Sequence, residues 1–196
     1  MLKTELEIIK EKLYNSEVIA FPTETVMGLG VIYDDKKAYE KLNQIKRRPE
    51  DKPYTLMLGN VNDIYKYAYV TARDEIIINS FMPGPITILL NSKNVPGFVT
   101  HNTGVIGIRV PAHDEVREMI NFVNKPLLVP SANRSGEKPL STYKQVIEVF
   151  GDELGYVVKM DSFNEKPSTI IDLTGKDIKI IREGSITLDE IMGSVK

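Results

Sequence analysis

The apolar residues of this chain fall into short runs bounded by proline or glycine, with segments of helical spacing between them. A brief aliphatic run between such stops reads as a buried strand, and repeats at three- and four-residue intervals read as one face of a helix. "EVIAF" stops at Pro22, and "YTLML" (54–58) stops at Gly59. "ITILL" (86–90) follows Pro83-Gly84-Pro85, "VIGIRV" (105–110) ends at Pro111, and "LLVP" (127–130) closes on its own proline. Leu2, Leu6, Ile9 and Leu13 share a helix face that ends near Asn15-Ser16. A second helix follows Asp34 or Asp35 and runs to Lys46, and "TARDEIIINSF" (71–81) and "DEVREMINFV" (114–123) give two more. Ser141 stands where a cap is needed for "TYKQVIEVF", which Gly151 stops. "YVVKM", "STIIDL" and "IKIIR" read as three late strands, and Thr187 with Glu190 spells a capping box for a last helix. Strand and helix alternate for most of the length, which predicts an α/β fold with a mixed sheet. With no repeat, linker or low-complexity stretch, the expectation is one domain over residues 1–196.

Composition removes several classes of function. There is no cysteine, hence no disulfide, thiolate nucleophile or cysteine-bound metal. His101 and His113 are the only histidines and form no HxxxH or HExxH pattern, so neither a zinc site nor a Ser-His-Asp triad is supported. No apolar run approaches the ~20 residues that span a bilayer. Met1 to Lys12 mixes Lys and Glu with spaced Leu and Ile, as an amphipathic helix does and a secretory signal does not. A cytoplasmic setting is the default. A net charge of -2 argues against a broad nucleic-acid-coating surface but permits a local basic pocket.

Such a pocket has a source in "QIKRRPEDKP" (44–53), with four cations and two prolines in one break. Cations closing a helix complement its dipole, which is the plain reading. If the chain is extended there, Lys46 and Arg48 point the same way, and Pro49 favours that at Arg48. Two cations side by side suit an anion such as phosphate or carboxylate. In "VPSANRSGEKP" (129–139), Ser131 and Asn133 alternate in the same manner at a strand end, where ligands of open α/β sheets bind. In "FPTETVMGLG" (21–30) Thr23 and Thr25 offer hydroxyls, while Gly28 and Gly30 permit close backbone approach to a ligand. This is neither a dinucleotide fingerprint nor a P-loop. Arg109 stands inside a buried run and needs a partner, either an internal Asp or Glu or a ligand carboxylate. Ser168 opens "STIIDL", and Arg182 ends a strand in "IIREG".

Taken in order, "PTETVMGLG", "KRRP..KP", "PGPITILL", "GIRVPAH", "PSAN.SG", "STIIDL" and "IIREG" resemble the YrdC-like family of threonylcarbamoyl-AMP synthases, over about residues 15 to 190. The family's K-x-R plus S-x-N tetrad falls on Lys46, Arg48, Ser131 and Asn133. The resemblance implies a strongly twisted mixed sheet flanked by helices, with a concave basic cavity. It implies that L-threonine, bicarbonate or CO2, and ATP with Mg²⁺ give threonylcarbamoyl-AMP and pyrophosphate. A separate transferase complex then modifies adenosine 37 of tRNAs that read codons beginning with A. On that reading Lys46 and Arg48 neutralise phosphate charge, Ser131 and Asn133 hold the α-phosphate or carbamate, and Lys52 and Arg182 lie along the nucleotide. Arg109 takes the threonine carboxylate, and Thr23, Thr25 and Ser168 face the amino acid. Mg²⁺ is carried by the nucleotide, not by protein ligands. Met27, Met57 and Val105 depart from residues common in relatives (tyrosine, histidine and threonine). Two rivals are a module binding double-stranded RNA or tRNA without catalysis, and a carbamoyl-transferring relative of the hydrogenase-maturation type. Ser131 and Asn133 speak against the first, since backbone binding needs cations. The single-domain length speaks against the second.

Overall fold

The computed structural model describes residues 1–48, 53–163 and 166–195. Its strands are β1 (Ile19–Phe21), β2 (Gly28–Ile32), β3 (Thr55–Met57), β4 (Ile86–Asn91), β5 (Val105–Arg109), β6 (Leu127–Leu128), β7 (Tyr156–Val157), β8 (Thr169–Asp172) and β9 (Lys179–Arg182). They form one twisted sheet in the order β7-β1-β2-β6-β3-β5-β4-β8-β9. The pairs β1/β7, β3/β5 and β4/β8 are parallel and the other pairs antiparallel, so the sheet is mixed, as expected. The helices are α1 (Lys3–Tyr14), α2 (Lys36–Lys46), α3 (Ile64–Tyr67), α4 (Ala72–Phe81), α5 (Gly97–Thr100), α6 (Asp114–Val123), α7 (Tyr143–Phe150) and α8 (Leu188–Ser194). No helix among the described residues is long and apolar enough to cross a membrane.

Both faces of the sheet are covered. Leu6, Ile9 and Leu13 of α1 pack with Val116, Met119 and Val123 of α6 on one face, together with Ile19 and Phe21 of β1. Ala20, between those two, joins the opposite cluster with α2, α4 and α7. A strand sends alternate side chains to opposite faces, so helices on both sides make its whole run apolar. This is why the buried strands read as continuous apolar runs instead of alternating ones.

Two local readings change. The segment after Pro22 is not all loop: Gly28–Ile32 is strand β2, antiparallel to β1. Its glycines make room for side chains of the core, not for a ligand. A Cβ on Gly30 would lie 2.5 Å from Phe21 Cε1, and one on Gly28 would lie 2.7 Å from Val129 Cγ1. The cap of α7 is Thr142, with Gln145 completing a capping box, and Ser141 lies one residue outside it. The boxes at Thr71–Asp74 and Thr187–Glu190 close α4 and α8 in the same way.

Phe21 is fully buried, so its ring has no free volume into which to retreat from a new methyl group. Gly30→Ala should therefore destabilise the protein by roughly 1–3 kcal/mol. Urea denaturation measures this, and an unchanged midpoint would show that the β1/β2 hairpin can open to accept a side chain.

Candidate active site

The site begins at the C-terminus of α2. Arg47 takes a left-handed conformation (φ 49°, ψ 46°), and the Arg48 N–H returns to the Asn43 carbonyl at 3.1 Å. The chain is thus turned, not extended, at 46–48, and Lys46 and Arg48 converge by a different route from the one their spacing suggests. Lys46 is the last residue of α2 and only 1% exposed. Its Nζ donates to the carbonyls of Ser131 (2.6 Å) and Asn133 (2.7 Å) and to Asn133 Oδ1 (3.2 Å). Asn133 Oδ1 also accepts from Ser131 Oγ at 2.6 Å, and Nδ2 donates to the carbonyls of Arg134 and Glu137, both at 2.8 Å. All the polar capacity of that amide is spent on the loop and on Lys46. Three acceptors favour the ammonium form of Lys46. Burial opposes it, followed by the charges of Arg48 and Arg134, and together these lower its pKa to about 7.

In front of this knot lies a cavity of about 400 Å³. Ser131 reaches it from the β6 end, which pairs with the start of β2 through a Gly28–Ser131 bridge. Arg48 lies on the ring of Tyr54, 4.4 Å from its centroid, and donates to the Pro53 carbonyl at 2.9 Å. Tyr54 is itself fixed by donating to Asn43 Oδ1 at 2.6 Å, and burial raises its pKa well above the ordinary phenol range. Arg109, at the end of β5, donates through Nη2 to Thr25 Oγ1 (3.0 Å) and lies 2.9 Å from Glu24 Oε1. Thr23 Oγ1 donates to the Val26 carbonyl, so the Thr25 hydroxyl supplies the hydrogen of the 2.8 Å Thr23–Thr25 contact and accepts from Arg109. On the far wall Arg182 donates to the carbonyl (2.8 Å) and hydroxyl (3.2 Å) of Ser168, which also contacts Thr87 Oγ1 at 3.2 Å. Burial, and then the nearby charge of Arg109, lowers the pKa of Arg182.

Of the residues named from sequence, Arg48, Ser131, Thr25, Arg109, Ser168 and Arg182 line this one cavity. Lys46, Asn133 and Thr23 are buried behind its wall, where they hold lining residues in place. Lys52 lies outside the described residues. Sequence reading left the Arg109 partner open and passed over Glu24, although that residue sits within the "PTETV" stretch. It also missed Thr87 and Tyr54, which occupy positions that read simply as core strand. Of the three departures, Met57 lines the cavity, Met27 is buried in the core and Val105 begins β5.

Residues 11–184 match the Sua5/yciO/yrdC family, whose description reads "Telomere recombination". The chain belongs to this family. A Vibrio campbellii member named threonylcarbamoyl-AMP synthase is 34% identical over 183 residues, which are 91% of this chain and 98% of that protein. A Methanocaldococcus jannaschii relative is 35% identical over 96% of this chain and 90% of its own length. Pyrococcus abyssi threonylcarbamoyl-AMP synthase is 31% identical over 89% of this chain but only 52% of its own length, so this chain spans about half of it. The structure of P. abyssi Sua5 complexed with L-threonine superposes with a TM-score of 0.94 at 28% identity, over all of this chain and 58% of Sua5. Escherichia coli YciO, at 23% identity, shares the fold with a TM-score of 0.90 over 97% of this chain and 94% of its own.

The knot at Lys46 makes two testable statements. Lys46→Met leaves the buried Ser131 and Asn133 carbonyls without their donor and should cost roughly 2–5 kcal/mol in urea unfolding at pH 7. The native amine sheds its proton near 7 and the unfolded one near 10.5, so the unfolded state binds more protons between those values. Stability of the wild type relative to the variant should therefore rise from pH 7 to pH 10. A flat difference across that window would place the native lysine at its ordinary pKa.

Proposed function

We propose that the cavity joins L-threonine, CO2 or bicarbonate, and MgATP into threonylcarbamoyl-AMP, with release of pyrophosphate. One observation carries this reading: among the described residues, three arginines and six hydroxyl-bearing side chains, from well-separated stretches of chain, face a single cavity of about 400 Å³. That size accommodates small-molecule ligands, and the arginines repel one another unless anions lie between them. The relatives named threonylcarbamoyl-AMP synthase and the threonine complex of Sua5 support the same chemistry.

The reaction needs no protein nucleophile. The threonine amine adds to CO2 to give a carbamate, and a carbamate oxygen attacks the α-phosphate. The bond between the α-phosphorus and the α,β-bridging oxygen breaks, and pyrophosphate leaves with that electron pair. The protein supplies position and charge. Arg48 faces the phosphates, Ser131 the α-phosphate, and Arg109 the threonine carboxylate, with Thr25 and Ser168 beside the amino acid. Arg182 sits at the nucleotide side, and Lys52 belongs there by resemblance. Lys46 and Asn133 act by aiming the Ser131 loop. The described lining offers hydroxyls and guanidinium groups and no carboxylate, so Mg²⁺ would come with the nucleotide, held by phosphate oxygens and water. The product then passes to a transferase acting on tRNA, in the cytoplasm. The RNA-binding rival is not favoured, because these cations sit within a cavity and not along an outer face.

Purified protein should release pyrophosphate only when ATP, L-threonine and bicarbonate are all present. No release from folded protein at saturating substrate would overturn the proposal. Arg48→Ala should lower kcat by roughly a hundredfold or more, whereas Lys52→Ala should mainly raise KM for ATP. Unchanged turnover in a folded Arg48→Ala protein would remove that residue from the machinery.

A further inference from the structure

Among the described residues, four polar atoms around Arg109 are buried without a hydrogen bond: both carboxylate oxygens of Glu24, Nε of Arg109 and Nε2 of His113. Buried polar groups are nearly always paired, and a cluster of exceptions calls for a cause. Glu24 touches Arg109 at 2.9 Å, but the contact is one of charges and not an aligned hydrogen bond. Its side chain is 12% exposed and that of Arg109 is 8%, so each neutralises the other out of water. His113 lies four residues beyond Arg109, at the N-cap of α6. It is 4% exposed and stacks on Phe163 with centroids 5.2 Å apart. Among the described residues, the charged groups acting on it are Glu115 and Asp114 of α6, Glu24 of the β1/β2 connection and the Met1 ammonium, itself 3.1 Å from Glu115. Burial outweighs the three carboxylates and lowers the histidine pKa, keeping the imidazole neutral.

A ligand carboxylate that takes Arg109 removes the cation of Glu24. A buried carboxylate stripped of its partner is strongly unfavourable, and the nearest remedy is a proton on a group its field already reaches. We propose that Glu24 and His113 are positioning residues that exchange partners with Arg109: Glu24 holds the guanidinium in the empty site, and turns to His113 when a ligand carboxylate displaces it. In the second state the neutral imidazole takes one proton from solvent, and the resulting imidazolium donates Nε2–H to Glu24. The net buried charge is then the same before and after binding. This rests on the reading of the cavity as an amino-acid site. A merely structural Glu24–Arg109 pair would instead leave His113 indifferent to ligand.

The chain has two histidines, so imidazole NMR resolves the pair, and His101→Gln assigns them. In the free protein His113 should titrate below the ordinary value of about 6.5. Saturating L-threonine should raise its pKa by about one unit or more, which by linkage is about a tenfold gain in affinity at the acid end of the range. In Glu24→Gln, threonine should leave the His113 titration unmoved. Threonine binding seen by calorimetry without any change in the wild-type His113 pKa overturns this inference alone. No threonine binding at all overturns the amino-acid reading of the cavity, and this inference with it.

Discussion

One buried lysine amine ties the site together. Lys46 closes α2 on one side of the sheet, and its Nζ ends in the loop that follows β6, on the carbonyls of Ser131 and Asn133. The two segments are shaped together: Arg47 is a non-glycine residue in the left-handed region, and the 131–140 loop aims the Ser131 and Asn133 carbonyls at Lys46. Each is stabilised by the other. With the tie in place, Arg48 is directed onto the ring of Tyr54 and Ser131 is held at the cavity wall. Backbone held in an uncommon region is sustained only where its surroundings over-determine it, and functional loops are where this is most often found.

The cavity gathers three arginines in a protein whose net charge is close to zero. Arg48, Arg109 and Arg182 contribute three positive groups to its wall, and Glu24, behind that wall, is paired with only one of them. Solvent in the open cavity weakens the repulsion between these charges. Bound phosphate and carboxylate would relieve the mutual repulsion already visible between Arg109 and Arg182. In such a site the electrostatic work is done when the protein folds, so the reacting groups meet donors already in position.

How much of this was legible beforehand differs by residue. The buried strands and the long helices were readable because proline and glycine stop them and apolar spacing marks their faces. β2 was not, since its "GLGVI" looks like a glycine-rich turn and becomes a strand only by pairing with β1 and β6. Ser131, Arg109 and Arg182 were nameable because a polar or charged group in an apolar setting calls for a reason. Glu24 was overlooked because a glutamate in a loop is ordinary until its burial is known. Thr87 was hidden inside a core strand, where a β-branched residue attracts no notice.

The order of short motifs along the chain determined the family, and the alternation of apolar runs determined a mixed α/β sheet, because both follow from residue identity and spacing alone. Which cations face the cavity and which stand behind it was settled only by the folded chain. Lys46 and Arg48 are two residues apart, yet one is spent on backbone carbonyls and the other lines the cavity. The difference comes from a left-handed turn at Arg47 and from a loop more than 80 residues downstream. Long-range hydrogen bonds of that kind have no local pattern, and only tertiary structure can assign them.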